Sequence, residues 1–129
     1  MVRRGRLAMG MVMVVGLGTG LAAAHEEHAA GPGGEQQLTG EVVDVFCYLS
    51  HGTDGLGKGH ASCAKKCIQS GLPVAIKVGD HLYLAAMESH DPANKTLANL
   101  AGEQVIVHGQ IMEKDGQHLI AITKVEKSP

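Results

Sequence analysis

Four side chains in this sequence have the types and spacing of metal or redox chemistry: Cys47, His60, Cys63 and Cys67. Three of them lie in GHASCAKKC, residues 59–67, and the fourth in DVFCYLS, residues 44–50. On an α-helix, His60, Cys63 and Cys67 stand at i, i+3 and i+7. At about 100° per residue they fall within an arc of roughly 60°. They form one stripe bordered by Ala64 and Ile68, with Lys65 and Lys66 on the far side, so the stripe is expected on the buried edge of an amphipathic helix. If Cys47 faces that stripe, three thiols and one imidazole converge. That set suits tetrahedral Zn²⁺, and its thiolates also suit Cu(I). Two ligands four apart on one helix can chelate a single ion, as the histidines of H-E-x-x-H do. C-x15-C-x3-C is not, however, an established zinc spacing.

Other chemistry is open to the same residues. Cys47 paired with Cys63 or Cys67 would staple two elements and contribute ~3 kcal/mol, leaving one thiol spare. A Cys63–Cys67 bridge within one helical turn is near the geometric limit. If Ser62 caps the helix, Cys63 lies in its first turn, where a thiolate is favoured, which suits a thiol-redox protein. The C-x-x-C spacing of thioredoxin-like enzymes and C-x-x-C-H of c-type haem attachment are both absent. Three buried cysteines acting as small hydrophobes are the plainest alternative.

The compartment bears on that choice. The chain opens with Arg3, Arg4 and Arg6, then an uncharged stretch over residues 7–24, closing in Ala22-Ala23-Ala24. Basic start, apolar middle and small-residue end describe a cleaved signal peptide over residues 1–24, giving a mature start at His25 and a periplasmic or secreted protein. Glycines dilute the segment and no basic stop follows, which disfavours a retained membrane span. Arg3-Arg4 also raises twin-arginine export, although Gly5 and Arg6 fit that pattern poorly. An exported compartment is oxidising, so thiols there tend to pair or to hold metal.

Cleavage would leave 8 basic side chains, all lysine, against 13 acidic ones, a net charge of −5. That balance disfavours nucleic acid and anionic membranes, and three aromatic residues (Phe46, Tyr48, Tyr83) make no base-stacking platform. GTDGLGKG, residues 52–59, resembles a phosphate loop, but Gly59 replaces the required hydroxyl, so no nucleotide is expected. Glu41 and Asp44 lie three apart on a strand and should face opposite sides, which makes no acid–base pair. No catalysis is expected. Asp44 could orient His60 or Lys58, or simply be a solvated carboxylate. His81, His90, His108 and His118 read as surface residues, and Met87 and Met112 as core residues that could also serve as soft copper ligands. Partners are a metal ion and, beyond it, another exported protein.

The elements that must position these groups follow from turn and cap signals. Residues 25–37 (HEEHAAGPGGEQQ) read as a flexible tail, whose His25 and His28 could chelate copper. One domain fills residues 38–126. Its first strand runs over 38–49, bent near Gly40, with Leu38, Val42 and Phe46 apolar. A loop over 52–59 precedes a helix over 60–70, stopped by Gly71 and Pro73. Strands follow over 73–78 and 81–87 around Gly79-Asp80. A second helix runs over 91–102, with Asp91 as cap and Pro92 first. Strands over 103–112 and 118–125 close on Asp115-Gly116. The order strand, cysteine helix, strand, strand, helix, strand, strand resembles the OB fold: a mainly β, five-stranded Greek-key barrel, here with two short helices, one of them a cysteine helix inserted between strands 1 and 2. The chain is also similar to exported bacterial proteins sharing a core in which Cys47-Tyr48, His60, Cys63, Cys67 and Gly71-x-Pro73 match. That likeness implies no function, and an OB-like fold assigns none.

Overall fold

The computed structural model describes residues 34–129; the expected signal peptide and its cleavage site, with His25 and His28, lie outside the described residues. The chain forms β1 (Gln36–Asp44), α1 (Val45–His51), a 3-10 turn (Gly52–Gly55) and α2 (Gly57–Gln69). Then come β2 (Val74–Val78), β3 (His81–Met87), α3 (Asn94–Leu97) running into a 3-10 turn (Ala98–Leu100), β4 (Gln104–Lys114) and β5 (Gln117–Lys127).

The strands close into a barrel in the order β1-β2-β3-β5-β4. All pairings are antiparallel except β3 with β5, which run parallel from Leu84↔Leu119 to Met87↔Ile122. This is an OB-like Greek-key barrel with a cysteine-bearing helix between its first two strands. β1 pairs with β4 over Gln36–Glu41 and with β2 over Glu41–Asp44, so it changes partners beside Gly40. A Cβ on Gly40 would meet the Lys77 carbonyl, which is why the barrel closes on a glycine there.

The expected alternation is present. Val105 and Val107 of β4 are buried between half-buried Ile106 and His108. With Val42, Val74, Ile76, Ile120 and Ile122 they fill the barrel. Ala64 and Ile68 of α2 and Ala93, Leu97, Ala98 and Ala101 join the same core, so the cysteine helix is docked by its apolar edge.

Three boundaries differ from expectation. The first strand stops at Asp44, not residue 49, because the Asp44 carboxylate accepts hydrogen bonds from the amides of Phe46 and Cys47 (3.1 and 3.2 Å) and starts α1. Three helices result where two were expected, and Phe46, read as an apolar position of the first strand, is exposed on α1. The cysteine helix begins at Gly57, not 60, since the Glu41 carboxylate accepts a hydrogen bond from the Gly57 amide. Asp91 does not cap the next helix; its carboxylate accepts from Ser89 Oγ, and only Asn94–Leu97 is α-helical.

The C-terminus of α2 follows expectation. Gly71 adopts φ +100°, and the Gly71 and Leu72 amides donate back to the Ile68 and Cys67 carbonyls at 3.1 Å. Asn94 Nδ2 donates to the Ile68 and Leu72 carbonyls (2.8 and 2.7 Å), tying α3 to this end. Asn94→Ala should therefore lower unfolding free energy by about 1–2 kcal/mol, read from urea midpoints, since the Leu72 carbonyl loses its side-chain donor and the Ile68 carbonyl keeps only the Gly71 amide.

Candidate metal centre

Cys47 and the α2 stripe do meet. Asp44 nucleates α1 so that Cys47, its third residue, turns inward and is 6% exposed, whereas Phe46 on one side is 61% exposed. The 3-10 turn then folds back on α1. Gly55 is buried there, and a Cβ on it would lie 2.9 Å from the Cys47 carbonyl oxygen, so the return demands a residue without a side chain. Docking of Ala64 and Ile68 sets the rotation of α2 and turns its ligand-bearing stripe toward α1.

The four expected ligands converge as two overlapping sets rather than one. The donor atoms of Cys47, His60 and Cys63 all lie within 4.8 Å of one another. So do those of Asp44, Cys47 and Cys67. Cys47 alone belongs to both. The division follows from helix geometry: His60 and Cys67 are two turns apart, about 10 Å along the axis, and one sulfur between them reaches each in turn. The stripe is also less buried than its spacing suggested. Cys63 is exposed and Cys67 half-buried, because Ala64 and Ile68 take the core-facing edge.

Two observations fit a metal. Cys47 Sγ and Cys67 Sγ are 4.0 Å apart. Two thiolates on one tetrahedral Zn²⁺, with bonds of about 2.3 Å, stand about 3.8 Å apart. In addition, His60 Nε2 is buried and has no hydrogen-bond partner among the described residues. A buried, unpaired imidazole nitrogen costs about 1–3 kcal/mol unless something meets it.

The charge environment is that of a cation site. The Asp44 carboxylate is fully buried beside Cys47. It holds the Cys47 proton by hydrogen bonding and repels the thiolate; together with burial and Cys67 this pushes the Cys47 pKa up to about 12. Burial pushes the Cys67 thiol up as well, opposed by the hydrogen bond with Cys47. A cation placed among these sulfurs would reverse both effects by stabilising thiolates. Without one, the three thiols should differ sharply in reactivity. At pH 8, the exposed Cys63 should alkylate first and the buried Cys47 last, since Asp44 and burial hold Cys47 as the thiol with a pKa of about 12. Peptide mapping of partly alkylated native protein reads this order, and equal labelling of Cys47 and Cys63 would contradict it.

Asp44 is the residue that sequence reasoning undervalued. The available signal was an acidic residue directly before an apolar segment that could begin a helix. Cys63 lies in the middle of α2 rather than its first turn, so the helix terminus does not act on its thiol. Elsewhere, the rings of His81 and His118 are 5.3 Å apart beside Tyr83, and His118 pairs with Glu113 at 2.8 Å. Sequence had treated these as unrelated surface residues; the parallel β3–β5 pairing brings them together.

Fold and site together define a small OB-like barrel carrying a Cys/His/Asp donor cluster able to hold a metal ion. Comparison with protein-family models, curated proteins and solved structures finds no match for the chain. Among the described residues, no helix is long and apolar enough to cross a membrane.

Proposed function

We propose that this chain is an exported, periplasmic metal-binding protein that holds Cu(I) or Zn²⁺ at the cluster of Cys47, His60, Cys63 and Cys67, one ion seated on one of the two donor sets that share Cys47, in a carrier or structural role, without catalysis. The observation that carries the reading is the orphaned, buried His60 Nε2 on an imidazole that has a ring nitrogen within 4.8 Å of the Cys47 and Cys63 sulfurs. A hydrophobic cysteine cluster gives that nitrogen no partner; a metal ion does. Asp44 would act as a further ligand or as the group that orients Cys47.

Exposure of Cys63 favours the carrier role. A structural zinc site is closed, whereas a sulfur open to solvent can pass its ion to the thiols of another exported protein. The sequence pattern of residues 1–24 supplies the case for export.

Titration of the fully reduced chain with Zn²⁺ and with Cu(I), each against a chromophoric chelator, tests the reading. One equivalent should bind, and alkylation of Cys63 should be suppressed in step. Failure to compete with the chelator for either ion would overturn it.

A further inference from the structure

Cys47 is common to both donor sets, and Cys67 is the sulfur lying 4.0 Å from it. A disulfide needs the two sulfurs about 2.05 Å apart, so closure requires an approach of about 2 Å between α1 and the last turn of α2. α1 is a short element, and it is joined to α2 through a turn and a single extended residue, Leu56. The alternatives fit less well. Cys63 and Cys67 are one turn apart on the same helix, near the limit for a bridge, and the exposed Cys63 is placed only within 4.8 Å of Cys47 Sγ, against 4.0 Å for Cys67.

Resting on the metal-binding reading above, we propose that a Cys47–Cys67 disulfide and the bound metal exclude one another, so that oxidation of this pair releases the ion and the ion protects the pair. The oxidant is a small-molecule disulfide. The half-buried Cys67, as thiolate, attacks one sulfur of that disulfide; its S–S bond breaks and one thiolate leaves. Cys47 gives its proton to the departing thiolate and attacks Cys67 Sγ, expelling the second thiolate. Two protein thiols are oxidised and one external disulfide is reduced to two thiols. Because the bond consumes Cys47, both donor sets lose a member in a single event. His60 and Cys63 remain of one set and Asp44 of the other, without the sulfur that joined them, and neither remnant can close a tetrahedral site. Cys63 takes no part in this bond.

The test uses the full chain, reduced, with and without one equivalent of Zn²⁺, exposed to oxidised glutathione. Disulfides are mapped by non-reducing peptide mass spectrometry, and zinc retention is read after gel filtration. Without zinc, the Cys47–Cys67 bond should form and Cys63 should remain alkylatable; with zinc, bond formation should slow by about tenfold or more, and oxidised protein should retain no zinc. The Cys63→Ser variant, altered only at an exposed position, should form the same bond. A predominant Cys63–Cys67 or Cys47–Cys63 bond would overturn the proposal, as would bond formation at an undiminished rate in zinc-loaded protein. Failure of the reduced protein to bind zinc or Cu(I) in the chelator titration would instead overturn the metal reading itself, and the exclusion with it.

Discussion

Replacing Cys47 with serine should weaken Zn²⁺ or Cu(I) binding more than replacing any other donor. The expected loss exceeds the roughly 10–100-fold that removal of a group outside the coordination sphere costs, since both donor sets lose their shared member. Cys63→Ser and Cys67→Ser each disturb only one set, so their losses should be smaller. Serine keeps the volume close to that of cysteine, and the fold should survive: Cys47 lies beside the barrel core rather than within its main cluster. Affinities from chelator competition across the three variants read the ranking. If Cys47→Ser binds as tightly as Cys63→Ser, the overlap of the two sets at Cys47 has no energetic meaning.

Asp44→Ala should act on stability and site together. The carboxylate caps α1 from a fully buried position, accepting from the Phe46 and Cys47 amides. Loss of a cap costs about 0.5–2 kcal/mol, and leaving the buried Cys47 amide unpaired should place this one at about 2–3 kcal/mol. Asp44→Asn keeps an acceptor oxygen and should cost less. It also removes the negative charge facing Cys47, so the Cys47 pKa should fall from about 12 toward the ordinary thiol value. The sign is checkable: the asparagine variant should alkylate at Cys47 faster at pH 9 than the parent, and slower reaction would contradict the assignment. Urea unfolding of both variants separates the cap contribution from the charge.

The barrel was legible because its signals are local and mutually consistent. Gly79-Asp80 and Asp115-Gly116 turn the chain, and the β4 valines alternate as a half-buried strand must. The helix stripe was legible as well, because periodicity alone sets which residues share a face. What sequence could not supply was rotation and docking. Val-Phe-Cys-Tyr-Leu after Asp44 has strand propensity, and a buried side-chain cap overrides it. The start of α2 is set by Glu41, sixteen residues earlier in the chain, a tertiary contact no window reveals. Whether Cys63 or Ala64 takes the core depends on the few tens of degrees by which α2 is turned, and Ala64 and Ile68 win that position. So the identities of the ligands were readable, while their division into two sets around Cys47 was not.

X-ray absorption at the zinc or copper edge of the loaded protein reads the ligand set itself. The zinc form should show sulfur neighbours at about 2.3 Å together with an imidazole shell at about 2.0–2.1 Å, the latter lost in His60→Ala. A shell of nitrogen and oxygen atoms alone, unchanged by that substitution, would contradict the Cys/His ligand set.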